Sequence, residues 1–586
     1  MQPRLVPRAA VLAAVLAACD GGAPPAVPPV DGPLALAVRH PGPTAALVPG
    51  GFAYLAGSAG SGRARVTVDG VPVTLHPNGS FAAYLPVPGR RFYEVMAVRG
   101  GDTVRLRHPV AAVGDLSAVD GTLRVDPSSV HPRGEIAAAP EERVAVSVRA
   151  TANASVWVQW PGGRQPLAPP HPSLFTAPKG AADRWSGHVL AGNLTAGATL
   201  VVARGGDTVR LPLPRAAAIP PGTQVELRAG PEGVTPASDT PDGHFAWLLL
   251  PGTRLPVTGW GEGHTRVRLD ARHEAWVRDA LAAPLSPAAV TERVVREARL
   301  VARPDRVELR VEMGVAEPPP FRVEEGAQEI ALVLYGARMA GSPPAAGADP
   351  MVRSVEARAE PGGGTRLVVR LAGQPYGYAA AWRDGRFILA LRRPPPVARR
   401  RPLRGLTVAV DAGHPPHGAV GPTGLGEAEV TLAVARRLAR ELERRGARVV
   451  MTREGTGPVA LEARVAIARR AGAHALVSLH ADAVPSSVNA AEVAGTATYY
   501  YHRHSAPLAE QVQRGMARRM GLADLGTGYR SVVVTRPTWF PAVLAEGATL
   551  VWPPHEAALR EPRFQRAYAR GVAEGLEAYF RALEGG

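Results

Sequence analysis

The stretch LTVAVDAGH, residues 406–414, decides the fold of the last third of the chain. An apolar run that ends at a turn and a polar side chain is typical of a buried strand in a parallel sheet. The next segment, Glu427 to Arg445, repeats apolar residues at the helical period, and Gly446 is expected to end that helix. Alternating strands and helices predict an α/β domain, with a mostly parallel sheet covered by helices. The other elements expected here are strands at 447–452, 475–480 and 541–546 and helices at 461–471, 506–520 and 562–583.

Four polar residues lie at positions where this domain pattern predicts a ligand site. His414, His480 and Glu546 each stand at or just past the end of a predicted strand, the edge at which open α/β sheets bind ligands. Glu427 lies in the first turn of the helix after His414 and can face the same crevice. Two imidazoles and one carboxylate suit a catalytic zinc that keeps a fourth position for water. A further carboxylate could then take the proton from that water.

One alternative ligand is close in sequence. Glu429 lies two residues after Glu427 and would point to a different helix face, so Glu427 is preferred. Four other histidines are expected to line the surface: His417, His502, His504 and His555.

The segment from about Leu406 to Phe580 resembles the zinc-dependent N-acetylmuramoyl-L-alanine amidases of the bacterial cell-wall hydrolase class. The resemblance implies that His414, Glu427 and His480 bind Zn²⁺ and that Glu546 is the catalytic glutamate. It implies hydrolysis of the amide bond between N-acetylmuramic acid and L-alanine in peptidoglycan. The motifs on which it rests are Asp411 to His414, Gly421 to Glu427, Thr452-Arg453, Leu461 with Arg464, Ser478 to Ala483, and Pro541 to Gly547.

The chain departs from this family in the crevice wall. Glu546-Gly547 continues as Ala548-Thr549-Leu550-Val551-Trp552, where the family has Gly-Phe, a Ser-Asn pair and acidic residues. Asp482 stands where the family usually has an asparagine after the second histidine. Some relatives carry a long helical insertion after the second histidine that blocks the zinc. Only residues 484–495 occupy that place here, so no helical plug is expected.

The middle of the chain is predicted to be a row of β-sandwich-like modules, because short alternating runs are separated by Gly, Asn, Asp and Pro turns. Residues 284–302 form a helix-compatible exception. The segment Arg99 to Leu106 recurs as Arg204 to Leu211, which indicates two related modules or convergence on a favourable turn. We expect modules at 34–113 and 114–221, a β-rich module with a connector at 222–297, and a domain at 298–393 that resembles the wall-targeting β domain of some amidases.

The N-terminus predicts export. Residues 1–18 combine Arg4 and Arg8 with a short apolar run, and the single cysteine of the chain, Cys19, follows at once. This resembles a bacterial lipobox, which implies lipidation of Cys19, a tether at 19–33 and a lipid-anchored protein that faces the periplasm in the cell envelope. The alternative is an ordinary signal peptide with an incidental cysteine.

Composition narrows the remaining possibilities. One cysteine excludes a disulfide framework within the chain and a metal site built on several thiolates. The formal charge is +16, and six arginines lie between residues 392 and 404. We interpret residues 394–404 as a solvated linker before the catalytic domain at 405–584; contact with an anionic lipid or wall polymer is the alternative.

The leading hypothesis is therefore a membrane-tethered zinc amidase whose substrate is peptidoglycan. The rival hypothesis is a catalytically inactive lipoprotein that binds the wall through its β modules. We expect no nucleic-acid partner, and the sequence does not identify a regulatory protein partner.

Overall fold

The computed structural model describes residues 29–583, except 44, 48–50, 91, 113–121, 152, 170–183, 196, 242, 244, 288–291 and 342–348. The expected signal peptide, Cys19 and most of the tether lie outside the described residues. None of the described helices is long and apolar enough to cross a membrane.

The first module is one antiparallel sheet with the strand order β1-β3-β6-β5-β4-β7-β8, accompanied by a parallel pair of β2 and β9. Alternate residues of its strands share one core that includes Leu55, Val68, Phe81 and Val95. The strands are β1 (Ala37–His40), β2 (Ala46–Leu47), β3 (Phe52–Ser58), β4 (Arg65–Val68), β5 (Val71–Leu75), β6 (Ser80–Pro86), β7 (Phe92–Arg99), β8 (Asp102–Pro109) and β9 (Ala111–Ala112).

The second module is a sandwich of two sheets, β10-β12-β15 and β14-β13-β16-β17, around a shared core. Both copies of the repeated sequence form hairpins, in which Arg99 pairs with Asp102 and Arg204 with Asp207. The elements are β10 (Val125–His131), β11 (Ile136–Ala137), β12 (Arg143–Ala150), β13 (Ser155–Trp160), β14 (Gly163–Pro166), β15 (Arg184–Leu190), α1 (Ala191–Thr195), β16 (Thr199–Arg204), β17 (Asp207–Pro212) and β18 (Ala216–Ala217).

The third module is a further sheet that also takes in β11 and β18. The expected boundary near residue 221 is therefore bridged by strand pairing. Its own strands are β19 (Gln224–Leu227), β20 (Thr235–Ser238), β21 (Phe245–Leu249), β22 (Arg254–Gly261), β23 (His264–Arg268), β24 (Glu274–Arg278) and β25 (Ala282–Leu285).

The fourth module packs a five-stranded sheet, β30-β26-β27-β34-β33, against a four-stranded sheet, β28-β29-β32-β31. Its core is continuous with that of the third module, and β26 crosses the expected boundary between residues 297 and 298. The expected helix-compatible stretch at 284–302 is wrong: its described part contains the end of β25 and all of β26, which pairs with β27 and β30. The strands are β26 (Arg293–Ala302), β27 (Arg306–Met313), β28 (Phe321–Glu325), β29 (Glu329–Leu334), β30 (Ala337–Met339), β31 (Val352–Glu360), β32 (Gly364–Leu371), β33 (Tyr378–Arg383) and β34 (Arg386–Arg392).

The arginine-rich stretch at 392–404, which begins with the last residue of β34, is partly bonded to its surroundings. Arg392 donates to the carbonyls of Ala473 and Trp539, at 2.9 and 3.1 Å, and Arg393 pairs with Asp349. The other four arginines of residues 392–404 are exposed. The two arginines before residue 394 are therefore held by hydrogen bonds and an ion pair, and the four within the expected linker at 394–404 are exposed.

The last domain has the sheet order β36-β35-β37-β40-β38-β39, in which the first four strands are parallel and β38 runs antiparallel to β40. Helices α2, α5 and α7 cover one face, and α3 covers the other. Its elements are β35 (Thr407–Ala412), α2 (Glu427–Arg444), β36 (Arg448–Met451), α3 (Leu461–Arg470), β37 (Ala475–Asp482), α4 (Ala490–Val493), β38 (Thr496–Tyr500), α5 (Ala506–Met520), β39 (Asp524–Tyr529), β40 (Ala542–Thr549), α6 (Pro553–Arg560) and α7 (Pro562–Leu583).

Candidate metal centre

His414 lies in a sharply turned loop directly after β35. Its backbone is left-handed, with φ of 56°, and a Cβ on Gly418 would lie 2.9 Å from its Cγ. The loop can therefore fold back on the imidazole only because residue 418 has no side chain. The hydrogen bond with Glu427 raises the pKa of His414, although burial opposes this effect.

Glu427 is the first residue of α2, so its carboxylate lies where the helix dipole and free backbone N–H groups favour negative charge. Its Oε2 accepts from the backbone N–H of Ala419 at 2.9 Å, and its Oε1 accepts from that of Ala481 at 3.1 Å. Burial alone would raise the pKa of Glu427, but the hydrogen bonds and charges of His414 and His480 outweigh it and hold the pKa well below its usual range. The carboxylate is therefore ionised at neutral pH.

His480 lies on β37, beside the other two side chains. Its Nδ1 is 3.0 Å from Glu427 Oε1, and His414 Nε2 is 3.1 Å from Glu427 Oε2. A Cβ on Gly413 would lie 2.5 Å from His480 Cε1. A glycine at 413 therefore leaves the space that the imidazole occupies.

These three side chains have the donor set and spacing of a metal site. One ligand atom from each of His414, Glu427 and His480 lies within 4.8 Å of the others, and no second group of this kind occurs within the described ranges. Two imidazole nitrogens and a carboxylate oxygen suit Zn²⁺, and three protein ligands leave a position open. The residues therefore fit a catalytic zinc. Glu429, the alternative ligand, is exposed.

Glu546 lies on the neighbouring strand, directly opposite His480 in the parallel register of β37 and β40. The side chain is 6% exposed, and its Oε2 has no hydrogen-bond partner among the described residues. Burial raises the pKa of Glu546 well above its usual range, with smaller contributions from the charges of Asp482 and Glu427. A buried carboxylate with an open oxygen beside a metal site is suited to exchanging a proton with water.

A buried ion pair holds the loop that bears His414. Arg464 Nη1 donates to Asp411 Oδ1 at 2.9 Å, and both side chains are 1% exposed. The same guanidinium donates to the carbonyls of His414 and Pro415 at 3.2 and 2.8 Å. Sequence reasoning found both residues in family motifs but assigned them no role. Their signal was a charged residue at the end of an apolar strand and an arginine on an otherwise buried helix face.

Glu556 of α6 holds the loop that leads into Glu427. Its carboxylate accepts from the backbone N–H groups of Thr423 and Leu425, at 3.0 and 3.2 Å. Tyr568 of α7 places its hydroxyl 2.7 Å from the carbonyl of Ala545 and 3.2 Å from that of His480. Sequence reasoning missed the positioning roles of Glu556 and Tyr568, because the spacing along the chain does not bring them to the site.

The prediction that four further histidines line the surface is wrong for three of them. His417 is exposed. His504 is buried, with its Nδ1 3.0 Å from Glu325 of the fourth module, and His502 Nδ1 lies 3.2 Å from the same carboxylate. His555 is 8% exposed, accepts from the backbone N–H of Thr549, and has its pKa lowered to about 4 by burial.

The segment after β37 holds only α4, a helix of four residues. The first module covers this segment instead. The backbone N–H of Tyr54 donates to the carbonyl of Ser486 at 2.7 Å, and the hydroxyl of Tyr54 donates to the carbonyl of Val551 at 2.9 Å. The N-terminal module thus packs on the chain segments that leave β37 and β40.

Known proteins resemble the last domain. A family model described as N-acetylmuramoyl-L-alanine amidase matches residues 408–578. The probable cell wall amidase LytH of Staphylococcus aureus is 30% identical over 210 residues, which are 35% of this chain and 68% of that protein. Among solved structures, the catalytic domain of the amidase CwlV from Bacillus (Paenibacillus) polymyxa var. colistinus is 34% identical, covers 30% of this chain and 97% of its own, and has a TM-score of 0.28. The amidase AmiC2 of Nostoc punctiforme is 33% identical, covers 30% of this chain and 96% of its own, and has the same TM-score.

Proposed function

This chain belongs to the family of N-acetylmuramoyl-L-alanine amidases, and from that premise we propose how its last domain works. The reaction is hydrolysis of the amide bond between N-acetylmuramic acid and L-alanine in peptidoglycan. The proposal assigns Zn²⁺ to His414, Glu427 and His480 and the catalytic carboxylate to Glu546. The observation that supports it best is the meeting of these three ligands, within 4.8 Å, beside a buried carboxylate on the adjacent strand.

Each residue has a separate task in this proposal. A zinc ion bound there supplies a Lewis acid, which favours deprotonation of water at neutral pH and polarises a carbonyl group. Glu546 takes a proton from the attacking water and passes it to the nitrogen of the leaving L-alanine. Its burial supports this role, because a carboxylate with a raised pKa is a better proton acceptor than an exposed one. Glu427 stays ionised, and its two backbone hydrogen bonds hold the carboxylate between the imidazoles.

The proposal is tested by digesting purified sacculi with zinc present. We expect the wild type to release stem peptides with a free L-alanine amino group. Glu546→Gln should lose at least about 100-fold in rate while its zinc content stays unchanged, because proton transfer is lost and the ligands are intact. Glu429→Gln is the matched control, since Glu429 is an exposed glutamate in the first turn of α2.

Three results would contradict parts of the proposal. Equal release by wild type and Glu546→Gln would remove Glu546 from the catalytic role. Release of no peptide by the wild type at any zinc concentration would favour the rival hypothesis, a wall-binding lipoprotein without activity. Unchanged zinc content in His414→Ala would separately reject that ligand.

Membrane attachment is a second part of the proposal. We propose that Cys19 carries lipid and that the chain works at a membrane surface in the cell envelope, because the cysteine directly follows a short basic and apolar leader. Metabolic labelling with a fatty acid should mark the wild type and not Cys19→Ala. A labelled alanine variant would place the lipid elsewhere, and an unlabelled wild type would support an ordinary signal peptide.

A further inference from the structure

The strand next to Glu546 carries an aromatic side chain on the catalytic face. In the antiparallel register of β38 and β40, Ala497 lies opposite Glu546 and Tyr499 opposite Leu544. Residues two apart on a strand share a face, so Tyr499 lies on the same side of the sheet as Glu546. Tyr499 packs against Leu544 and the small core under α3. It therefore forms part of the floor that continues from the catalytic carboxylate.

Arg530 rests on this tyrosine. The backbone N–H of Arg530 donates to the carbonyl of Tyr500 at 2.8 Å, which fixes the start of the loop after β39. The guanidinium carbon lies 4.7 Å from the centroid of the Tyr499 ring. Gly528 lies opposite Tyr499 in the parallel pairing of β38 and β39, and a Cβ there would come within 3.0 Å of the ring. The missing side chain lets the ring lie across the strand and support the arginine.

The positive charge of Arg530 is not neutralised by an ion pair with any residue that the structure describes. Among the residues that the structure describes, its guanidinium forms no ion pair and no hydrogen bond, and the residue is exposed. Arg453 and Arg464 of the same domain, by contrast, are buried and donate to a backbone carbonyl. Arg530 thus keeps five N–H donors available to a ligand.

The charge of Arg530 reaches the catalytic crevice. The Tyr499 ring beneath it lies two residues along β38 from Ala497, the residue that pairs with Glu546. A cation at this margin of the crevice gives an anionic group of the substrate a place to bind.

We propose that Arg530, supported by Tyr499, binds a free carboxylate of the stem peptide and makes the enzyme prefer acidic over amidated stems. This inference rests on the proposed function. A guanidinium matches the planar geometry of a carboxylate and can bind it through two hydrogen bonds. In the stem, the residue after L-alanine carries one group that takes no part in the peptide bonds, and this group is either a free carboxylate or a carboxamide. A carboxamide keeps the shape but loses the charge, so it reports this contact alone.

The test uses the full chain and two soluble muramoyl peptides that differ only in D-glutamate or D-isoglutamine after L-alanine. We expect the wild type to have a kcat/KM about tenfold higher for the acid, and Arg530→Gln to bring the two substrates to about the same value. The loss should appear mainly in KM, because the contact is equal in ground state and transition state. Arg530→Lys should keep part of the preference. Arg518→Gln is the matched control, since Arg518 is also exposed and forms no ion pair within the described residues.

The outcomes separate this inference from the proposed function. If the wild type cleaves both substrates and Arg530→Gln lowers both equally, Arg530 only adjusts the electrostatics of Asp482 and Glu546, and the inference is overturned. The inference is also overturned if the wild type does not distinguish the substrates. If the wild type cleaves neither peptide and is inert on sacculi, the proposed function fails first.

Discussion

Replacing Arg464 by methionine should destabilise the last domain and loosen the metal site together. The guanidinium makes five hydrogen bonds: 3.1 Å to the carbonyl of Val459, 2.9 Å to Asp411, 2.7 Å to the carbonyl of Ala412, and 3.2 and 2.8 Å to those of His414 and Pro415. Methionine fills a similar volume but leaves the Asp411 carboxylate buried with only hydroxyl partners. Loss of one member of a buried ion pair costs about 3–5 kcal/mol.

The expected change can be measured by calorimetry on the full chain. For a domain of this size, about 1 kcal/mol lowers the melting temperature by about 2–4 °C, so Arg464→Met should lower that transition by roughly 10 °C. Zinc affinity should fall as well, because two of the lost hydrogen bonds hold the His414 loop. Arg470→Met is the control: Arg470 lies on the same helix and is exposed.

A double-mutant cycle tests the cause. Asp411→Leu combined with Arg464→Met removes both charges. The loss of stability in the double variant should therefore be smaller than the sum of the two single losses, by at least about 1 kcal/mol. Additive losses, or a loss below about 1 kcal/mol for Arg464→Met, would show that the ion pair does not hold this loop.

Two further predictions concern contacts between modules. Tyr54→Phe should destabilise docking of the first module by about 1 kcal/mol, because the buried carbonyl of Val551 loses its donor. Tyr84→Phe removes an exposed hydrogen bond and should change the docking free energy by less than about 0.5 kcal/mol. Limited proteolysis measures both variants, and equal effects would contradict the prediction. Burial would raise the pKa of Glu325, but the charges and hydrogen bonds of His504 and His502 hold this pKa well below its usual range. The stabilisation that the carboxylate contributes is therefore present above the pKa of an unfolded glutamate, about 4.3, and is lost as pH falls below that value. The difference in melting temperature between wild type and Glu325→Gln should therefore be larger at pH 5.5 than at pH 3.5, and a difference that grows on acidification would refute this sign.

The sequence predicted most elements of the last domain because their apolar residues recur at a clear period. The helix expected at 427–445 ends at Arg444, and that expected at 506–520 has the same bounds in the structure. It missed β39, whose six residues include Gly526 and Gly528, and α6, which begins with two prolines. At 293–302 the pairing with β27 overrides a helix-compatible composition.

The candidate site was predictable only as far as its residues follow consecutive strands. His414, His480 and Glu546 end neighbouring strands, and strand order brings such positions to one edge of the sheet. The burial of His504 could not be predicted, because its partner, Glu325, comes from a different module 179 residues away. Long-range pairing of this kind leaves no periodic pattern in the chain.

The docking of the first module could not be predicted from the sequence either. Its hydrogen bonds to Ser486 and Val551 go to backbone carbonyls, which any residue supplies, so sequence motifs contain no record of them. Its apolar contacts cover Val484, Ala490 and Val551, just beyond the strands that bear His480 and Glu546. A catalytic domain cut away at residue 404 would expose this apolar patch to water. The first module therefore packs directly beside the strands that bear the proposed active-site residues, and we expect the isolated domain to be less stable than the same domain in the whole chain.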